Sequence, residues 1–190
     1  ISPKFKEMIE TRDHCGEGTI YLTPHLSNFD LAGRAFTYNS SHSILVLSYP
    51  NPNKGYQMQN KIRRDSAIEV MPTSIESLRL GKQRLQEGKS IITGLDRPLE
   101  NSKYHPRFFG YPSMVPVTYV KLALQTHSPV VVVACVGNQD STYSIECSDL
   151  IWLENYDDSV QEMERNAEKV LKQAEVYIRA HPNQWSMFYP

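Results

Sequence analysis

Cysteine is scarce: only Cys15, Cys135 and Cys147 occur in 190 residues. An odd number of widely spaced thiols with no C-x-x-C pattern excludes a disulfide framework and a cysteine-ligated zinc site, and fits a reducing compartment. Long apolar runs are also missing. The longest, PVVVVACV, falls far short of the ~20 residues a membrane span needs, and there is no signal-peptide pattern. Charge of one sign is absent as well. Lys and Arg number 20 against 21 Asp and Glu, so no basic excess points to a nucleic-acid partner. His14, His42, His105, His127 and His181 lack metal-ligand spacing and read as surface or cap residues, so no metal is expected. Internal repeats and low-complexity runs are lacking too. What remains is 40% hydrophobic and 22% charged, a globular composition, and the length suits one domain over 1–190.

Strand and helix patterns alternate along the chain. GTIYLT (18–23), SILVLSY (43–49), AIEVM (67–71), KSIITGL (89–95) and PVVVVACVG (129–137) are short, β-branched apolar runs and read as strands. TYSIECS (142–148) alternates like a partly exposed one. Helices are expected at 28–39, 53–66, 74–88, 114–127 and 157–182. Ser74 or Ser77 caps the third, Gly88 stops it, and Pro116 sits in the first turn of the fourth. A polar loop spans 96–113. This order predicts an α/β domain with a largely parallel central sheet flanked by helices. In such sheets sites form at the carboxyl ends of strands. His25 follows the first strand and Asp96–Arg97 follows the fourth.

The stretch TPHLSNFDLAG holds His25 and Asp30. Residues five apart lie on different sides of a helix, so the two can meet only if His25 is on the loop and Asp30 in the first helical turn. Pro24 disfavours an earlier helix start, and Ser27 or Asn28 is a suitable N-cap. Asp30 could then hold one ring nitrogen of His25 and leave the other as a general base. The same residues also satisfy a loose capping box, Ser27-x-x-Asp30. On spacing alone that plainer reading is the commoner one.

PHLSNFDLAG resembles the His-x4-Asp motif of the glycerolipid and lysophospholipid acyltransferases. MQNKIRRDSAIEVMP, GLDRP, FFGYPSMVPVTYVKLALQTHSPVVVVACV and HPNQWSMFYP follow in order and resemble blocks of the bacterial lipid A-type acyltransferase branch. The ordered set, from about Thr19 to Pro190, is more specific than the first motif alone. It implies a glycerolipid acyltransferase-like fold in which His25 and Asp30 are the catalytic pair. It also implies transfer of a fatty acyl chain from a thioester donor, acyl-CoA or acyl-carrier protein, to a hydroxyl of a lipid or glycolipid acceptor. No cofactor beyond that donor is implied. Members carry a preceding N-terminal region, often with a membrane anchor. The chain is therefore expected to be a single acyltransferase domain lacking that region, at the cytoplasmic face of the cell membrane, held peripherally or anchored through the missing segment.

Oxyanion donors are expected from backbone N–H groups opening the 28–39 helix and from Arg63, Arg64 or Arg97. The resemblance places an arginine of the second block near a donor or acceptor phosphate, and both Arg63 and Arg64 fit that block. Asp96 could orient Arg97, bind acceptor hydroxyls, or simply open the turn before Pro98. Asn28 is a substrate-binding candidate or a cap. No Ser or Cys sits in an elbow beside His25, so direct transfer is expected. The alternatives are a thioesterase or hydrolase working through Cys135 or water, and a non-catalytic lipid-binding remnant. Trp185 reads as a core-sealing residue, and RFFGY (107–111) as packing beneath a loop.

Overall fold

The computed structural model describes residues 1–64 and 67–187. Six strands form the central sheet: β1 (Ile20–Thr23), β2 (Ile44–Ser48), β3 (Ile68–Pro72), β4 (Ile91–Gly94), β7 (Val130–Gly137) and β8 (Tyr143–Cys147). Their spatial order is β3-β2-β4-β1-β7-β8. All neighbouring pairs are parallel except β7 with β8, which is antiparallel. The five parallel strands are the apolar runs expected, and the antiparallel one is the run with alternating polarity, as sheet physics dictates.

Helices cover both faces. α1 (Pro3–Cys15) and α2 (Leu31–Asn39) bury Phe5, Ile9, Ala32 and Phe36 against Tyr21, Ile44, Ile92 and Val131. On the other face lie α4 (Ile75–Gln86), α5 (Thr118–Thr126) and α6 (Ser159–Ala180). There Leu85, Val120, Leu122, Val170 and Leu171 pack on Ile20, Leu22, Ile91 and Val132. Consecutive strand residues point to opposite faces, which is why Ile20 and Tyr21 belong to different cores. α3 (Lys54–Arg63) stands beside β3 at the sheet edge.

Several boundaries differ from the expected ones. α1 was not anticipated; Ser2 caps it, but its apolar stripe is thin, with Phe5, Ile9 and the hydrogen-bonded Arg12 as its buried residues. The 53–66 helix ends at Arg63, and residues 65 and 66 lie outside the described residues. The 114–127 helix begins at Thr118; Val115 and Val117 are buried on the approach, with Pro116 before the helix rather than in its first turn. Ser74 and Ser77 together make a capping box on α4. The 96–113 loop contains a small hairpin, β5 (Arg107–Phe108) with β6 (Tyr111–Pro112). Carboxylates of α6 hold this segment: Glu164, Glu168 and Glu175 accept the backbone N–H groups of His105, Arg107 and Phe109.

Candidate active site

β1 lies beside β4 in parallel register, with Thr23 opposite Gly94. The chain leaving β1 therefore meets the chain leaving β4, and His25 meets Asp96 although 71 positions separate them. His25 Nδ1 lies 2.5 Å from Asp96 Oδ1, and the His25 backbone N–H donates to Asp96 Oδ2 at 2.9 Å. The indole N–H of Trp185 donates to Oδ2 at 2.8 Å. Asp96 is fully buried. Burial pushes its carboxyl up, but the hydrogen bond and charge of His25, with the Trp185 and backbone N–H groups, outweigh it and hold the group below the ordinary 3.8. An ionised Asp96 fixes the proton on Nδ1, so Nε2 carries the lone pair available for chemistry.

Room for the imidazole comes from Gly94. A Cβ added there would stand 2.9 Å from His25 Cε1, too close for a stable contact. The ring also packs edge-on against Phe29, with centroids 4.4 Å apart.

Asp30 is placed elsewhere. It occupies the N-cap position of α2 without capping it, and its carboxylate accepts from Arg63 Nε at 2.7 Å. The expected His25–Asp30 hydrogen bond is thus replaced by His25–Asp96 and Asp30–Arg63. The cause is the late helix start at Leu31. Ser27 has φ 48° and neither it nor Asn28 caps the helix. Of the backbone N–H groups around the start of this helix, those of Leu31 and Ala32 close turns onto the carbonyls of Asn28 and Phe29.

His25 opens onto a cavity of about 660 Å³. Phe29, Val46, Leu47, Ile62, Ile68 and Ile92 make much of its wall, and Arg34, Arg63 and Arg97 contribute cations. Ile68 is on β3, three strands from β1, or about 14 Å at ~4.8 Å per strand. The space is therefore a largely apolar trough that reaches from the histidine loop to the β3 edge of the sheet. Arg63 spans the trough and the histidine loop: its guanidinium sits 5.5 Å from the Phe29 ring centroid. Arg64, the other candidate in the same block, turns to the Val70 carbonyl and is not part of the wall. Asn28 is exposed and also outside the wall. Asp96, expected at acceptor hydroxyls or beside Arg97, instead lies behind His25 with both oxygens engaged. Cys135 is buried in β7 and absent from the wall, and burial pushes its thiol up to about 11. It is a packing residue, and a thiolate there is disfavoured. Among the described residues no group of three or more His, Cys, Asp or Glu side chains is arranged to hold a metal ion.

A C-terminal strap, 182–186, braces the histidine loop. Ser186 N–H donates to the His25 carbonyl and Ser27 N–H to the Gln184 carbonyl, both at 2.8 Å. The Gln184 side-chain amide bonds both backbone groups of Gly137, at 2.8 and 3.0 Å. Trp185 rests on Phe108 and Phe109, with ring centroids 5.9 and 5.5 Å away. The PNQW ending therefore reaches the site itself as well as packing. Phe188 and Tyr189 lie outside the described residues.

Comparison with known families fits this arrangement. The family model for bacterial lipid A biosynthesis acyltransferases matches residues 4–190. The chain belongs to that family. Phosphatidylinositol mannoside acyltransferases of Mycobacterium tuberculosis and Mycolicibacterium smegmatis are each 26% identical to it over 123 residues. That stretch covers 63% of this chain and 39% and 40% of those two proteins. A family whose reaction is acyl transfer calls for a base, a trough for a fatty chain and cations for anionic groups. The site of this family member has a histidine, a trough and three arginines.

Of the residues the sequence singles out, His25, Arg63 and Arg97 share the cavity wall; the contact of Asp96 with His25, the space left by Gly94 and the N–H bond of Trp185 are not anticipated by it. The signal for Asp96 was present. Both it and His25 follow apolar strands at their carboxyl ends, and only the strand order was needed to join them.

Proposed function

We propose that this protein transfers a fatty acyl chain from an acyl thioester, on coenzyme A or a carrier protein, to a hydroxyl of a lipid or glycolipid, with His25 as general base and Asp96 as its carboxylate partner. The observation that carries this reading is the buried Asp96 on Nδ1 of a histidine that opens onto an apolar trough. His25 Nε2 takes the proton of the acceptor hydroxyl as its oxygen attacks the thioester carbonyl. The C–S bond then breaks, and the leaving thiolate recovers the proton from the imidazolium. An ester and a free thiol result, with no acyl-enzyme. Asp96 sets the tautomer and stabilises the imidazolium. Arg63 and Arg97 suit the developing oxyanion or a phosphate of donor or acceptor.

Peripheral lipid contact is part of the proposal. α3 carries Lys54, Lys61 and Arg63, has no acidic residue, and exposes Met58 and Ile62 next to the trough. Cations with exposed apolar side chains favour an anionic membrane surface. Among the described residues no helix is long and apolar enough to cross a membrane.

The test is mass spectrometry of lipids after incubation with acyl-CoA and acyl-carrier-protein donors and a panel of hydroxylated acceptors. The mycobacterial relatives put a mannosylated phosphatidylinositol on that panel. Ester product is expected with the wild-type protein and none with His25→Ala. Near-wild-type turnover by His25→Ala, or an acyl group trapped on Cys135, would overturn the reading.

A further inference from the structure

We propose that Trp185 is a positioning residue for catalysis, acting through Asp96 by orienting the carboxylate that holds His25. This rests on His25 and Asp96 being the base pair.

The carboxylate of Asp96 has two oxygens and three N–H partners nearby. Oδ1 faces His25 Nδ1, and Oδ2 receives the His25 backbone N–H and the Trp185 indole N–H. A buried carboxylate bonded only through His25 could rotate and tilt with the loop that carries His25. The indole bond comes from a different part of the chain, 89 positions away. It therefore fixes the carboxylate plane against an outside reference. That reference is itself braced. The indole lies on Phe108 and Phe109, and α6 holds the backbone of Phe109 through Glu175 at 2.7 Å. The neighbouring bonds of the strap act on backbone only: Ser186 on the His25 carbonyl, Gln184 on Ser27 and Gly137. Trp185 thus makes the strap's side-chain contact with the charged group. A donor on Oδ2 also draws charge from the carboxylate and so moderates how strongly it holds a proton on the imidazole.

The structure separates these duties, so variants can too. Trp185→Phe keeps a ring on Phe108 and Phe109 and removes the N–H. Gln184→Leu removes the side-chain bonds to Gly137 and leaves Asp96 untouched. For Trp185→Phe, kcat is expected to fall on the order of tenfold, the size of one hydrogen bond to a charged group. KM should be little changed, and the acid limb of the kcat/KM profile should move to higher pH. Gln184→Leu is expected to lower Tm without moving that limb.

A second readout needs no change at Trp185. The chain has two tryptophans, so Trp152→Phe assigns the indole N–H resonances. The Trp185 resonance should titrate with the midpoint of the acid limb, and the titration should vanish in His25→Ala. A flat Trp185 resonance, an unmoved limb in Trp185→Phe, or an equal limb shift in Gln184→Leu would overturn the proposal. If His25→Ala retains turnover, the base assignment itself fails, which is a separate outcome.

Discussion

Two aspartates flank the histidine loop, and their surroundings differ in every respect that matters for chemistry. Asp96 is fully buried, bonded by three N–H groups, and held below its ordinary carboxyl range. Asp30 is near in sequence, but its side chain is 44% exposed and it shares a salt bridge with Arg63. The first environment makes a carboxylate that can fix a tautomer and stabilise an imidazolium. The second makes an ion pair that sets where an arginine stands. Adjacency in a sheet has outweighed adjacency along the chain, because two parallel neighbours deliver their following loops to the same place.

Breaking the buried side should have the largest effect. Asp96→Asn keeps the shape but lets the imidazole adopt the wrong tautomer, and kcat is expected to fall about 10³- to 10⁴-fold. Turnover against wild type, with Tm as a folding control, checks this. Next is Gly94→Ala. Its Cβ would push the His25 ring, which the close approach to Cε1 cannot absorb. Displacement of about 1 Å costs on the order of 10²-fold in kcat/KM, read with the same assay.

The exposed side should respond less. Asp30→Asn frees Arg63 from its carboxylate and from its place over Phe29. About a tenfold loss in kcat/KM is expected, and stability should change by ~1 kcal/mol or less, since the Asp30 side chain is partly in water and solvent screens the pair. Denaturant titration beside kinetics separates the two numbers. Smallest of all is Cys135→Ala, a change in strand packing outside the cavity wall. Its turnover should stay near wild type, whereas a thiol-dependent hydrolase would lose its activity.

The comparison also has a pH form. Asp96 is depressed in the folded state, so its stabilising contribution is complete above the unfolded value and is lost as pH falls through the folded one. The stability gap between wild type and Asp96→Asn should therefore shrink below about pH 4. Chemical denaturation at stepped pH measures it.

Much of the sheet was legible because its strands are unbroken β-branched runs, and a strand buried on both faces shows itself by composition. α1 was not, since a helix that buries so few apolar side chains has little periodicity to read. The start of α2 was misplaced because Ser27 and Asn28 look like caps, while the backbone at Ser27 takes a left-handed turn instead. His25 was legible from its motif. Its partner was not, because local spacing favours Asp30 and only the β1–β4 pairing brings Asp96 close. Trp185 stands in a recognisable motif, but the target of its N–H depends on how the C-terminal strap folds back across the sheet.

The central claim is that Asp96, and not Asp30, holds His25. Nitrogen-15 NMR of the labelled histidine reads this directly, without an assay. The account predicts a Nδ1-protonated His25 with a far-downfield proton in wild type and in Asp30→Asn, and loss of that signal in Asp96→Asn. A signal that survives Asp96→Asn and disappears in Asp30→Asn would contradict it.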